Sequence, residues 1–268
     1  MSILAIFLYL LTLFAVGAFA WRGREMFLRI SAGQADPARF LNKGARARAM
    51  TKEVLLHTKM LKFTGSAIAH WFVMIGFVSL FGTLITAYGQ LIDPGFLLPV
   101  IGGWAPYRYF VLAIGWATGV GIVALFAIRV ATKFFHKSRT SRFLGSRSLK
   151  AYYVEATILV VVICVISLDY YEHQYYVNAT AIQTLAAIKI LVSVTWFIVV
   201  ASDLTMGVAW HRFLAPINIF FKRNLNSEPA LGPLPEMISH GKPIDFEDPK
   251  EDDVFGIGKS ADISWKGL

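Results

Sequence analysis

The residues best suited to chemistry in this chain are imidazoles in apolar settings. His70 is the only ionisable residue in Ala67–Gly76, which reads AIAHWFVMIG, and His211 opens the segment His-Arg-Phe-Leu-Ala-Pro216. Two neutral imidazoles at similar depth on two helices can ligate a haem iron from opposite faces. Each ring then needs its second nitrogen hydrogen-bonded, and the porphyrin needs an apolar slot. Gly65, Ser66, Ala67, Ala69 and Gly76 around His70, with Gly207 near His211, are small enough to let a flat macrocycle approach the backbone. The plainer alternative is that His70 hydrogen-bonds a neighbouring helix and His211 is an interfacial residue between Trp210 and Arg212. Residue pattern alone leaves both readings open.

The remaining histidines are weaker candidates. His57 precedes His70 by a distance of about 20 Å along a continuous helix, which makes it a reserve ligand outside the hydrocarbon. His136 lies in a basic loop and His240 in an acidic segment, both solvated settings. His173, among tyrosines, is either a quinone-headgroup contact or an ordinary loop residue. Ionisable residues inside apolar spans are functional candidates by default. Asp203 could relay a proton to a quinone or cap a helix. Lys189 lies about 21 Å from Asp203 along one helix, too far to pair. Arg108 could bind a quinone carbonyl or snorkel to the interface. Lys62, Arg129 and Arg212 are placed to meet haem propionates. Cys164, the only cysteine, excludes an intrachain disulfide and a four-cysteine cluster within this chain.

The elements that must position these groups are membrane helices. The 268 residues are 56% hydrophobic and only 16% charged, against about 25% charged in soluble domains. The net charge of +9 does not gather on one solvated face, which argues against nucleic acid as a partner. Five apolar runs are each long enough to span a bilayer: Ile3–Trp21, Thr64–Tyr88, Tyr107–Arg129, Tyr152–Asp169 and Ala181–Ala209. The first has no basic leader and meets a basic stretch at once, so it reads as a retained helix rather than a signal peptide.

Lysine and arginine crowd the first connection, from Arg22 to Lys62, and the third, from Lys133 to Lys150; the second and fourth have neither. The positive-inside rule then places the N-terminus outside and both basic loops and the C-terminus in the cytoplasm. Tyr88, Trp104, Tyr107, Tyr170 and Tyr176 fit an aromatic belt at the outer boundary. Residues 1–222 are therefore expected to form an all-α, five-helix membrane domain, haem-binding on the first of the two readings of His70 and His211. Residues 223–268, with five prolines and the acidic runs Asp245–Asp248 and Glu251–Asp253, read as a cytoplasmic linker. That linker is expected to lead to a domain outside this chain.

Two segments carry a family likeness. Five spans, an early histidine on the second and His211-Arg-Phe-Leu-Ala-Pro216 closing the fifth resemble the respiratory nitrate reductase gamma-subunit fold. The tail from Asp253-Val-Phe-Gly-Ile-Gly-Lys to Ser264-Trp-Lys-Gly-Leu268 is similar to the segment before the cysteine-rich domain of heterodisulfide-reductase-like membrane iron–sulfur oxidoreductases. Those include the membrane dehydrogenase that accepts electrons from electron-transfer flavoprotein in fatty-acid oxidation.

The likeness implies a plasma-membrane, multi-pass oxidoreductase domain in contact with lipid. Electrons would reach it through [4Fe-4S] clusters in a following cytoplasmic domain and leave to a membrane quinone, with menaquinone the expected form. The gamma subunit's second pair of haem histidines would fall at Leu80 and Ser193, so the likeness supports one haem b, toward the cytoplasmic face. Two alternatives stand beside this reading: another cytochrome b class, such as a ferric or ascorbate-linked reductase, and a non-redox scaffold or transporter with incidental histidines.

Overall fold

The computed structural model describes residues 2–135, 148–223, 236–240 and 242–267. His136, the basic residues Lys137, Arg139, Arg142 and Arg147, and Pro229, Pro233 and Pro235 lie outside the described residues. Of the described residues, 72% are helical. Among the described residues there are eight α-helices: α1 (Ile3–Ser31), α2 (Lys43–Leu55), α3 (Thr64–Ser79), α4 (Phe81–Gln90), α5 (Ala105–Phe135), α6 (Ser148–Glu172), α7 (Ala179–Ser202) and α8 (Gly207–Phe220). Five stretches there are long and apolar enough to cross a membrane: Ile3–Ser31, Lys43–Ser79, Ala105–Phe135, Ser148–Glu172 and Ala179–Ser202. The chain is thus compatible with a multi-pass membrane protein.

Local chemistry explains where these helices start and stop. α1 runs past Trp21 because Glu25 is bridged by Arg22 and Arg29, one turn away on either side. α5 opens on Pro106, whose missing N–H costs nothing in a first turn. Asn178 caps α7, its Oδ1 accepting from the Ala181 N–H at 3.0 Å. Two expected spans are broken. Leu80 separates α3 from α4 with a ψ of -3°, and the Thr83 hydroxyl donates to its carbonyl at 2.6 Å. The fifth run does not reach Ala209: α7 ends at Ser202, because Asp203 is extended and its Oδ1 accepts from the Thr205 N–H and hydroxyl at 3.0 and 2.7 Å. That Asx turn redirects the chain. His211 and Pro216 consequently lie within the separate helix α8 rather than at the close of the fifth span.

The chain forms two compact units, Met1–Ala20 with His57–His211, and Trp21–Leu56 with Arg212–Leu268. In the first, α3 lies against α5 at glycine contacts. Gly76 meets the Thr118 side chain, and a Cβ on Gly121 would stand 2.7 Å from the Ala69 carbonyl oxygen. Such close approach by small residues is the usual way membrane helices gain van der Waals contact. α1, α4 and α7 share a second core of Ala5, Leu8, Ala87, Ala186, Ile190 and Val194. Leu13, Phe14, Trp116 and Val120 point outward and exposed, as a lipid environment allows.

In the second unit, Arg46 on α2 is buried and donates to the backbone carbonyls of Ala38, Leu41, Phe220 and Lys222. Lys222 pairs with Glu53. The tail, expected as an extended linker, is partly packed here. Gln34 exchanges backbone hydrogen bonds with Ile263 and Trp265 at 2.8 and 3.0 Å, and the Trp265 ring lies against Phe40 and Phe221.

Candidate functional site

Three histidines converge in the first unit. The His70 and His211 ring centres are 6.0 Å apart and tilted by 41°. His57 Nε2 lies 2.9 Å from His70 Nδ1. His70 stands in the second turn of α3 and is half-buried, whereas His211, in the second turn of α8, is exposed.

Each ring is held by its own local structure. The Asp203 turn sets the start of α8, and Trp210 locks it: its indole N–H donates to the Asp203 carbonyl at 3.2 Å and its ring stacks on Phe19 at 5.0 Å. His211 Nδ1 lies 3.2 Å from the Gly207 carbonyl. A carbonyl can only accept, so Nδ1 carries the proton and the metal-binding lone pair of the neutral ring is on Nε2. His57 has a left-handed backbone, φ 50°. Its carbonyl accepts from Met60 and Leu61, at 2.8 and 3.0 Å, which starts the 3-10 turn Met60–Phe63. This turn corrects the expectation that His57 lies far from His70: the helix is not continuous between them, and the two rings touch.

The donor set suits a metal that takes two imidazoles. Metal–imidazole bonds of about 2 Å on opposite faces, with each nitrogen's offset from its ring centre, put the ring centres about 6 Å apart. Among the described residues no group of three or more His, Cys, Asp or Glu could hold a metal ion, and His57 meets His70 through ring nitrogens instead. Room exists beside two of the small residues: a Cβ on Gly65 or Gly207 would meet nothing within 4 Å. Ala67, Ala69 and Gly76 are buried, with Ala69 and Gly76 against α5, so they belong to helix packing rather than to a slot.

The charged candidates are mostly engaged elsewhere. Arg129 Nε donates to Glu155 Oε1 at 2.8 Å, so it is committed to a buried carboxylate on α6. Lys62 is exposed on the 3-10 turn, and Arg212 follows His211 in sequence but belongs to the second unit. Arg108 forks onto Asp169, at 2.7 and 3.1 Å, rather than snorkelling alone. Asp169 also faces His173. Asp203 pairs with Lys150, and that contact, with the Thr205 hydroxyl, holds its carboxyl down to about 2. It is a capping carboxylate, ionised near neutral pH, which disfavours the proton-relay role. Lys189 is buried and donates to the Thr83 carbonyl and hydroxyl at 2.8 and 2.7 Å.

The contact of His57 with His70 and the pairing of Glu155 with Arg129 were not expected from the sequence. No glycine or proline marks the turn at His57. Glu155, an acid inside an apolar run, was itself a signal. No family model, curated protein or solved structure matches the chain.

Proposed function

We propose that this chain is the membrane domain of a quinone-linked oxidoreductase, holding one b-type haem between His70 and His211. The observation that carries the reading is the 6.0 Å separation of those ring centres, together with the Nδ1 contacts that both rings make. When bound, the haem supplies a one-electron redox centre. The protein's part is to hold two neutral imidazoles, fix their tautomers and keep the surroundings apolar. Lys62 is the propionate partner of this reading, since Arg129 is engaged by Glu155.

The distribution of lysine and arginine supports an orientation with the N-terminus outside and the histidines toward the cytoplasmic face. Electrons would then arrive from a cytoplasmic iron–sulfur domain and leave to a quinone in the plasma membrane. The likeness of the tail and of the His211–Pro216 segment supports electron-transfer flavoprotein as the donor, menaquinone as the acceptor and a gamma-subunit-like bundle. With Asp203 and Arg108 both ion-paired, no side chain is assigned to the quinone.

The test is a reduced-minus-oxidised visible spectrum with pyridine haemochrome quantitation of the purified protein. One b haem per chain is expected, with loss in His70→Ala and in His211→Ala. A folded, haem-free wild type would overturn the reading and favour a non-redox scaffold or transporter.

A further inference from the structure

We infer that His57 is the positioning residue for His70, accepting the His70 Nδ1–H and thereby setting both the orientation and the donor strength of that ligand. The inference rests on the haem reading and deepens it. Its basis is the 2.9 Å contact between His57 Nε2 and His70 Nδ1, made by a ring that is only 6% exposed.

Three observations make this more than a chance contact. First, the direction of the bond follows from the chemistry of a ligand. A metal-bound imidazole in its neutral form carries its proton on the other nitrogen and gives it to an acceptor. His70 bound through Nε2 therefore donates from Nδ1, and His57 receives on Nε2, its own proton then residing on Nδ1. Second, the backbone delivers the ring. At φ 50° His57 occupies the left-handed region, uncommon for residues other than glycine but enriched in histidine, asparagine and aspartate. Two N–H groups converge on its carbonyl, so the turn fixes where the side chain leaves the chain. Third, the two ligands are asymmetric. His211 donates to a backbone carbonyl within its own helix, a contact any helical histidine can make. His70 uses a side chain from outside its helix, and that partner can be altered without touching α3.

A hydrogen bond from the distal nitrogen raises the basicity of a ligand imidazole. A more basic imidazole favours ferric over ferrous iron, so His57 holds the midpoint potential down. Loss of such a partner typically weakens metal binding by 10–100-fold. If the ferric form bears that loss alone, each tenfold raises a one-electron potential by about 59 mV.

The experiment uses the full chain in detergent or nanodiscs, with haem content, midpoint potential by optical redox titration, and the electron paramagnetic resonance of the ferric state. His57→Gly removes the ring while suiting the left-handed backbone, so it is the variant expected to fold. His57→Gln returns an acceptor oxygen at similar reach. The expected result is a low-spin haem in both variants, with the potential raised by tens of millivolts in His57→Gly and restored toward wild type in His57→Gln. A loaded His57→Gly protein with unchanged potential would overturn the inference. High-spin haem in His57→Gly, with low-spin haem retained in His70→Ala, would overturn it too, by making His57 the ligand. A wild type without haem would instead sink the haem reading and this inference with it, an outcome distinct from the other two.

Discussion

Arg129 on α5 and Glu155 on α6 form an ion pair, Nε to Oε1 at 2.8 Å, in which the carboxylate is buried and its second oxygen has no hydrogen-bond partner among the described residues. The arginine is therefore what makes an acid tolerable at that point in an apolar run. Removing one member of such a pair strands a charge and costs about 3–5 kcal/mol, whereas replacing both with apolar residues is often neutral. Arg129→Met is expected to lower the unfolding temperature markedly, and Arg129→Met with Glu155→Leu to recover most of the loss. Thermal unfolding in detergent decides it. Equal destabilisation in the single and double variants would show that the pair is not what holds α5 to α6.

The α3–α5 contact makes a second prediction. A Cβ at Gly121 would stand 2.7 Å from the Ala69 carbonyl oxygen, a backbone atom that cannot swing aside, whereas one at Gly65 would meet nothing within 4 Å. Overpacking of this kind costs about 1–3 kcal/mol. Gly121→Ala should destabilise the protein by that order, and Gly65→Ala should leave unfolding unchanged or improved through its better helix propensity. The reverse ranking in a melting series would mean that α3 and α5 do not meet at Gly121.

Asp203 sets a pH dependence. Lys150 first, and Thr205 second, hold its carboxyl down to about 2 from an ordinary value of 3.8. A carboxyl whose value is lowered on folding adds stability that is complete above its unfolded value and lost as pH falls through its folded one. Wild type should therefore melt above Asp203→Asn from about pH 5 upward, with the margin shrinking below about pH 4 and gone near pH 2. Equal melting of the two proteins across this whole range would assign the benefit to the Asx turn, which asparagine also makes, and not to the charge.

How far the sequence reveals this arrangement differs from residue to residue. Apolar runs without charge mark the candidate spans, because lipid-facing and core-facing positions of a membrane helix are both apolar. The sequence suggests only a similar depth for His70 and His211; their 6.0 Å ring separation depends on the break at Asp203 and on the separate helix α8, which the apolar pattern does not reveal. The Asp203 break was legible in principle, as an aspartate two residues before a threonine is an Asx-turn pattern. It was hidden by the apolar residues on either side. The break at Leu80 and the left-handed turn at His57 carry no glycine or proline. There, local hydrogen bonds from Thr83 and from Met60 and Leu61 shape the backbone, and none of these residue types marks a turn by itself. The pairing of Lys189 with Thr83, and of Arg108 with Asp169, joins residues far apart in sequence, which charge spacing along one helix cannot reveal.

Orientation is testable with the one native cysteine removed. In a Cys164→Ala background, the orientation proposed from the positive-inside rule predicts that Gly95→Cys reacts with a membrane-impermeant maleimide on intact cells, and Lys59→Cys only after permeabilisation. The opposite labelling pattern would invert the proposed topology and move the histidines to the outer face.

The measurement closest to the central claim is the low-temperature electron paramagnetic resonance spectrum of the oxidised protein, for wild type, His70→Gly and His211→Gly, each with and without added imidazole. The account predicts a low-spin ferric signal from two axial imidazoles in wild type. It predicts conversion to high spin or loss of haem in each variant, and return of the low-spin signal when imidazole fills the space left by the missing ring. A low-spin signal that survives either substitution without imidazole would contradict it, because the iron would then not be held by His70 and His211.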